Sequence, residues 1–473
     1  MSSRKVLLTQ AVVGRPLLAA AGFWAPRGPA TFSIALALVT IFSLVSPAQP
    51  PADPAAAARK ALDLLIAEKY TELRTLLTVQ GRERLTEEAL RNQVGGRIRT
   101  LGELNSIGEP VTGKDGPDTL VSFPLRFAAM NVNIQFTLNR SLQVASLAFR
   151  PADAPLPKLW QRPPYSHPES FTERELSVGS DSWQLGATLT LPTGKGPFPA
   201  VVLVHGPGPN DRDESIYSNR VFRDLGEGLA SRGIAVLRYD KRTFAYADKM
   251  GDLEFTIEQE TVEDATRAVA LLRTRPEIAS NRIYVLGHSL GGYALPRIAA
   301  HDRKLAGLVF LAANARPIED VALDQNDYVA HLNGDPTPQV LQRLEALKAE
   351  VARVKSLHPG QQAPQVLMGL PGAYLLDLRG YDAAAQAKQL GIPMLFLQGG
   401  RDFQVTGKDF EIWKTALSAR DDATFKQYPS LNHLFMAGDG PSSPAEYLKA
   451  ANVDPAVVSD IANWVSQAQA SSK

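Results

Sequence analysis

Six strand-like runs, AVVLVH, IAVLRYD, RIYVLGH, AGLVFLA, PMLFLQGG and TFKQYP, recur between residues 200 and 429, with helical stretches between most of them. Strands that are apolar along their whole length belong in a sheet covered on both faces, and strand–helix alternation makes such a sheet mostly parallel. Two further runs, LSVGS and WQLGATLTL, read as an antiparallel pair leading into it, which gives eight strands in all. The helices fall at 222–231, 257–273, 293–300, 410–417 and 457–466. One interruption stands out. Between 314 and 389, QVLQRLEALKAEVARVKSL and the apolar VLMGLPGAYLLDL occupy a place where a short connection would suffice, and they read as a helical cap insertion.

This α/β unit spans 170–473. Ahead of it, the stretch 151–169, PADAPLPKLWQRPPYSHPE, is too rich in proline for a helix or a central strand and reads as a linker. The segment 49–150 carries helical spacing first, with Leu62, Leu65, Ile66, Leu73 and Leu77 as its apolar positions, and a second helical stretch at 85–98. It then alternates through TLVSFPLRFAAM, VNIQFTLNR and LQVASLAFR, with turn-like Lys114-Asp115-Gly116 and Asn139-Arg140-Ser141. Helices followed by a meander predict a small α+β domain.

A basic start with Arg4, Lys5, Arg15 and Arg27 precedes an uncharged apolar run at 31–45 and then Ser46-Pro47-Ala48. That order is the one an export signal shows, with cleavage after Ala48, so 1–48 is expected to be a signal peptide and the mature protein periplasmic or secreted. A retained N-terminal membrane anchor and an ordinary core helix are the alternatives for the same run. The 473 residues contain no cysteine, which excludes disulfides, lipid-modified cysteine and a thiol nucleophile. A net charge of +1 removes the electrostatic basis for nucleic-acid binding.

The most specific chemical signal is YVLGHSLGGYALPRIAA, where an apolar strand ends in Gly287-His288-Ser289-Leu290-Gly291 and a helix begins at once. A serine on such a strained strand-to-helix turn presents its hydroxyl clear of the backbone. It needs a base to take its proton. Of seven histidines, His433 in YPSLNHLF follows the last strands; His167 lies in the linker and His301 ends the helix after the serine. A carboxylate must fix the tautomer of that base, and Asp402 stands in the loop after PMLFLQGG. Asp382, Asp409 and Asp421 read instead as helix-associated.

The order Ser289, Asp402, His433 resembles the α/β-hydrolase superfamily. HGPGPNDRDE, RGIAVLRYDKR, GHSLGG, QGGRDFQV and LNHLF together resemble bacterial exported serine esterases that carry a small N-terminal domain. The resemblance implies an α/β-hydrolase fold and hydrolysis of a small-molecule carboxylic ester through an acyl-enzyme, with no cofactor and no metal. It places one oxyanion donor at the N–H of Leu290, after the nucleophile. The second usually comes from the residue after His-Gly, here Pro207, which has no N–H. Gly208 is the nearest residue able to turn an N–H inward.

Substrate contacts are expected from Arg242, which ends a strand near the active edge, and Tyr374 in the cap; packing of Arg242 on the Asp211-Arg212-Asp213 loop and an apolar lid core around Tyr374 are the alternatives. That loop itself reads as an ion-pair brace rather than a metal site. A serine peptidase, acyltransferase or thioesterase shares the same tetrahedral chemistry, and a non-catalytic cell-envelope binding protein is the reading from another class. Once the signal is removed, no stable membrane insertion is expected.

Overall fold

The computed structural model describes residues 53–467 apart from 116–117, 152–159, 181, 247–248, 251–253, 359 and 362–365; the expected signal at 1–48 lies outside the described residues. The chain divides into two compact units that part between Leu159 and Trp160.

In the first unit the helices Pro54–Ile66 and Tyr70–Thr75 precede a five-stranded antiparallel sheet. Asp53 caps the first helix by accepting the Ala55 N–H, and Pro54 opens it at a position where no N–H is needed. Ala58, Leu62, Leu65, Leu73 and Leu77 share a core with Val121, Phe123, Ile134 and Phe136. The single helical run expected here is broken after Ile66, because Glu68 takes a positive φ of 55°. The stretch expected as a second helix contains a π-helical segment, Leu90–Gly95. Two strands went unread, Leu104–Ile107 and Val111–Asp115; Lys114 and Asp115, expected in a turn, end the second of them. Asn139 does make its turn, its side chain accepting the N–H groups of Ser141 and Gln143.

The second unit is built on eight strands: β1 (Phe171–Ser180), β2 (Trp183–Pro192), β3 (Phe198–Val204), β4 (Ala235–Tyr239), β5 (Ile278–His288), β6 (Gly307–Leu311), β7 (Met394–Gly399) and β8 (Ala423–Tyr428). They lie in the order β8-β7-β6-β5-β3-β4-β2-β1. β1 and β2 pair antiparallel, as does β2 with β4, and every pair from β4 to β8 is parallel. Alternate residues of β3 serve two separate cores. Val202 and Val204 pack with α2 (Glu263–Arg273) and α3 (Leu290–His301); Val201 and Leu203 pack with α1 (Val221–Ala230) and with the last helix, Pro455–Gln467. Helices therefore cover both faces of a mostly parallel sheet, as the uninterrupted apolar runs predict, and this is the α/β-hydrolase architecture that the resemblance implies. Between β6 and β7 stand the helices Ile318–His331, Pro338–Lys355 and Gly372–Leu378, whose own small core contains Val354, Leu357 and Leu375. Among the described residues no helix is long and apolar enough to cross a membrane.

Candidate active site

β5 ends at His288, α3 begins at Leu290, and Ser289 between them sits at φ 54°, ψ −120°. A residue with a Cβ adopts that conformation only when its surroundings impose it. Here the Ser289 N–H is held by Leu311 O of β6 at 2.9 Å, while the Ser289 carbonyl accepts from Gly292 and Tyr293 in the first turn of α3. The turn is also crowded. A Cβ on Gly291 would lie 2.2 Å from Val204 O, and one on Gly287 would lie 2.4 Å from Gly291, so both positions exclude any side chain. The first N–H groups of α3, at Leu290 and Gly291, have no carbonyl within the helix to bond, and they stand at the positive end of its dipole.

Asp402 lies past the end of β7 and is buried. Its Oδ1 accepts the N–H groups of Gln404 (2.8 Å) and Val405 (2.9 Å). Its Oδ2 accepts from Gln398 Nε2 at 3.2 Å and from His433 Nδ1 at 2.7 Å. A carboxylate only accepts, so Nδ1 of His433 carries the hydrogen and Nε2 keeps its lone pair. The loop bearing His433 follows β8 and is pinned on both sides. Asn432 Oδ1 accepts from the N–H groups of Leu434 and Met436, and its Nδ2 donates to Glu446, which Arg401 beside Asp402 also pairs.

The loop after β3 runs against the serine: a Cβ on Gly206 would lie 3.3 Å from Ser289 Cβ. Gly208 has φ +88°, a conformation closed to proline and costly for other residues. Asn210 Nδ2 donates towards the carbonyls of Gly206, Pro207 and Gly208 at 3.2–3.3 Å. His205 is buried against Phe222 and Tyr239, with Nε2 3.0 Å from Asp211 O; burial pushes its pKa down to about 4, so it is neutral.

Two expected substrate contacts are corrected. Arg242 is buried, its Nε and Nη2 are committed to Asp264 and Glu263, and its guanidinium lies over the Trp183 ring, so its charge is already paired within the fold. Nor does it brace the Asp-Arg-Asp loop. That loop is held by other partners: Arg212 pairs with Asp240 and Glu175, Asp213 with Arg238, and Asp211 caps Ser215. Tyr374 is 1% exposed, packs in the core beneath the sheet and donates its hydroxyl to Glu260 at 2.9 Å, so it tethers the cap helix rather than walling an open pocket. Among the described residues no group of three or more potential ligands is arranged to hold a metal ion.

Sequence reasoning missed the charged groups buried beneath the site, Glu214, Lys241, Glu260 and His288. The Glu214 carboxylate stays below its usual range despite burial because the His288 ring faces it, and His288 is raised against the same burial for the reciprocal reason. The signal available was the excess of ionisable residues in HGPGPNDRDE, directly after the wholly apolar β3, and in RYDKR at the end of β4.

Comparison with known proteins agrees with this architecture. The profile of the family described as serine aminopeptidase, S33 (Hydrolase_4) matches residues 197–439. Esterase EstD of Thermotoga maritima is 39% identical over 402 residues, 85% of this chain and 92% of that protein. The quorum-quenching protein AidA of Acinetobacter baumannii is 27% identical over 135 residues, 28% of this chain and 42% of that one. Among solved structures, Est1E from Butyrivibrio proteoclasticus is similar at a TM-score of 0.42 and 16% identity, over 63% of this chain and 99% of that one. By the family match over residues 197–439 and the 39% identity with Esterase EstD, the chain belongs to the serine esterases of the α/β-hydrolase superfamily and is a carboxylic ester hydrolase.

Proposed function

We propose that this esterase cleaves small to medium acyl esters through a Ser289–His433–Asp402 triad and an acyl-enzyme. The observation that carries the reading is the 2.7 Å bond from His433 Nδ1 to buried Asp402, on a loop pinned beside the strained turn that bears Ser289. In this scheme Nε2 of His433 takes the Ser289 proton as Oγ attacks the ester carbonyl, and it returns that proton to the leaving alcohol. Water then repeats the cycle on the acyl-enzyme. The oxyanion formed at each step is assigned to the N–H groups of Leu290 and Gly208, because Pro207 has none and because the Gly206 N–H is occupied by Glu214.

The aminopeptidase description of the matching family keeps amide substrates as a second reading, whereas the relative that aligns with 85% of the chain is named an esterase. A chain-length series of p-nitrophenyl esters run beside aminoacyl p-nitroanilides decides between them. Turnover of the esters with negligible anilide hydrolysis is expected, and the reverse preference would overturn the assignment. The apolar run at 31–45 supports export with cleavage after Ala48, and the mature protein should then begin at Gln49 by intact mass.

A further inference from the structure

Beneath the loop that follows β3, Glu214, Lys241 and His288 are each 2% exposed, and none acts as nucleophile, acid or base in the scheme above. Charges so deep are retained only when paired, and these are. Glu214 Oε1 accepts the Gly206 N–H at 2.8 Å, while Oε2 stands 2.9 Å from His288 Nδ1 as an ion pair. The other ring nitrogen of His288 lies 3.1 Å from the backbone carbonyl oxygen of His433; that oxygen only accepts, so Nε2 donates to it. The His288 and His433 rings lie 4.7 Å apart. Gly206 is held from its other side as well, its carbonyl accepting from Lys241 Nζ at 2.9 Å, and Lys241 pairs with Glu260 at 3.1 Å. Glu214 itself takes φ +47°, a strained conformation for a residue with a Cβ.

We propose that Glu214 and His288 are positioning residues whose buried pair ties the oxyanion loop at Gly206 to the base loop at His433, setting both against one tetrahedral centre. The contacts run unbroken from one loop to the other: Gly206 amide, Glu214 carboxylate, His288 ring, His433 carbonyl. Pro207 fixes φ at the next step, which leaves fewer free torsions between the Gly206 and Gly208 amides. A shift at Gly206 displaces a donor from the oxyanion, and a shift at His433 displaces the base from Ser289. Both matter most when charge has developed on the substrate oxygen, so the pair acts on the transition state rather than on ester binding. The proposal rests on the triad assigned above.

The test compares E214Q, H288Q and the double variant with the wild type on p-nitrophenyl butyrate, and measures inhibition by benzeneboronic acid, which mimics the tetrahedral centre. E214Q keeps an oxygen for the Gly206 N–H and replaces the charged oxygen that faces His288 with an uncharged NH2 donor, which breaks the pair. Its kcat should fall roughly 100-fold, the scale of an ångström-level misplacement, with KM moving less than about 3-fold. Boronate inhibition should weaken in parallel with kcat, and the double variant should be no slower than the slower single one, since one coupled pair is lost only once. An E214Q protein with unchanged kcat, a loss confined to KM, or single losses that multiply in the double variant would each overturn the proposal. So would failure of E214Q and H288Q to fold, which would show that the pair supports the core and not the register of the loops. S289A separates this from the underlying reading: fluorophosphonate labelling that survives S289A overturns the triad, while labelling lost in S289A beside full activity in E214Q overturns the pair alone.

Discussion

Replacing Asp402 with asparagine exchanges one carboxylate oxygen for an NH2 group, and the structure shows that neither orientation of the amide is neutral. With its nitrogen towards Gln404 and Val405 it meets two backbone N–H donors that now lie 2.8 and 2.9 Å from Oδ1. Losing those two bonds to a charged acceptor costs about 1.5–3 kcal/mol each. With its nitrogen towards His433 it meets the Nδ1–H at 2.7 Å, a conflict that a tautomer change in the imidazole relieves, and it gives up only the longer bond from Gln398 Nε2 at 3.2 Å, a group that keeps the carbonyls of Val405 and Gly399 as acceptors. The second orientation is therefore the stable one. It moves the ring hydrogen to Nε2 and removes the lone pair that the proposed mechanism assigns to the Ser289 proton. The comparable exchange in a serine protease triad lowers kcat about 10⁴-fold, which at about 1.36 kcal/mol per decade is a barrier increase of about 5 kcal/mol. D402N should thus show kcat on p-nitrophenyl butyrate reduced by three to four orders of magnitude, with KM and the thermal midpoint little changed. A folded D402N that keeps a tenth of wild-type kcat would refute the tautomer argument and the role given to Asp402.

The oxyanion assignment is tested by Gly208→Ala rather than by proline, because φ +88° excludes the proline ring. The alanine should cost about 1–2 kcal/mol of stability. Relaxing that strain turns the alanine N–H away, so kcat should fall towards the 10²-fold typical of a lost donor, and unchanged turnover beside an unchanged thermal midpoint would place the donor elsewhere. A separate expectation concerns pH. Burial pushes the Asp224 carboxyl up to about 7, against the donors Trp160 Nε1, Asn452 Nδ2 and Val453 N–H. A folded pKa above the unfolded 3.8 means that the stabilisation exists at low pH and is lost as pH rises through about 7. The thermal midpoint of the wild type should accordingly fall relative to Asp224→Asn between pH 4 and pH 8, and a difference that stays flat over that range would refute the assignment.

What could be read from the sequence, and what could not, follows from how each signal is generated. β3 to β7 were legible because both faces of each strand are covered, so the whole run is apolar. Leu104–Ile107 was not, since it is a short strand with its middle residues exposed and carries no such run. The helix break at Glu68 is made by a non-glycine residue at positive φ, which leaves no Gly or Pro to announce it. Ser289, Asp402 and His433 could be singled out because each follows the C-terminal end of a strand, where side chains of a parallel sheet converge. Arg242 follows the end of β4 in the same way, and there the rule misled: Asp264 on α2 takes its guanidinium before any ligand can. The pairing of Glu214 with His288 had no local signal at all, because it depends on the loop after β3 meeting the end of β5.

The central claim is that Ser289 is the nucleophile of an esterase. Peptide mapping by mass spectrometry after diisopropyl fluorophosphate treatment tests it directly. The account predicts a single phosphoryl adduct on the peptide containing Ser289, formed in step with loss of esterase activity and absent in Ser289→Ala. An active enzyme that stays unlabelled, or an adduct at another residue that accompanies inactivation, would contradict it.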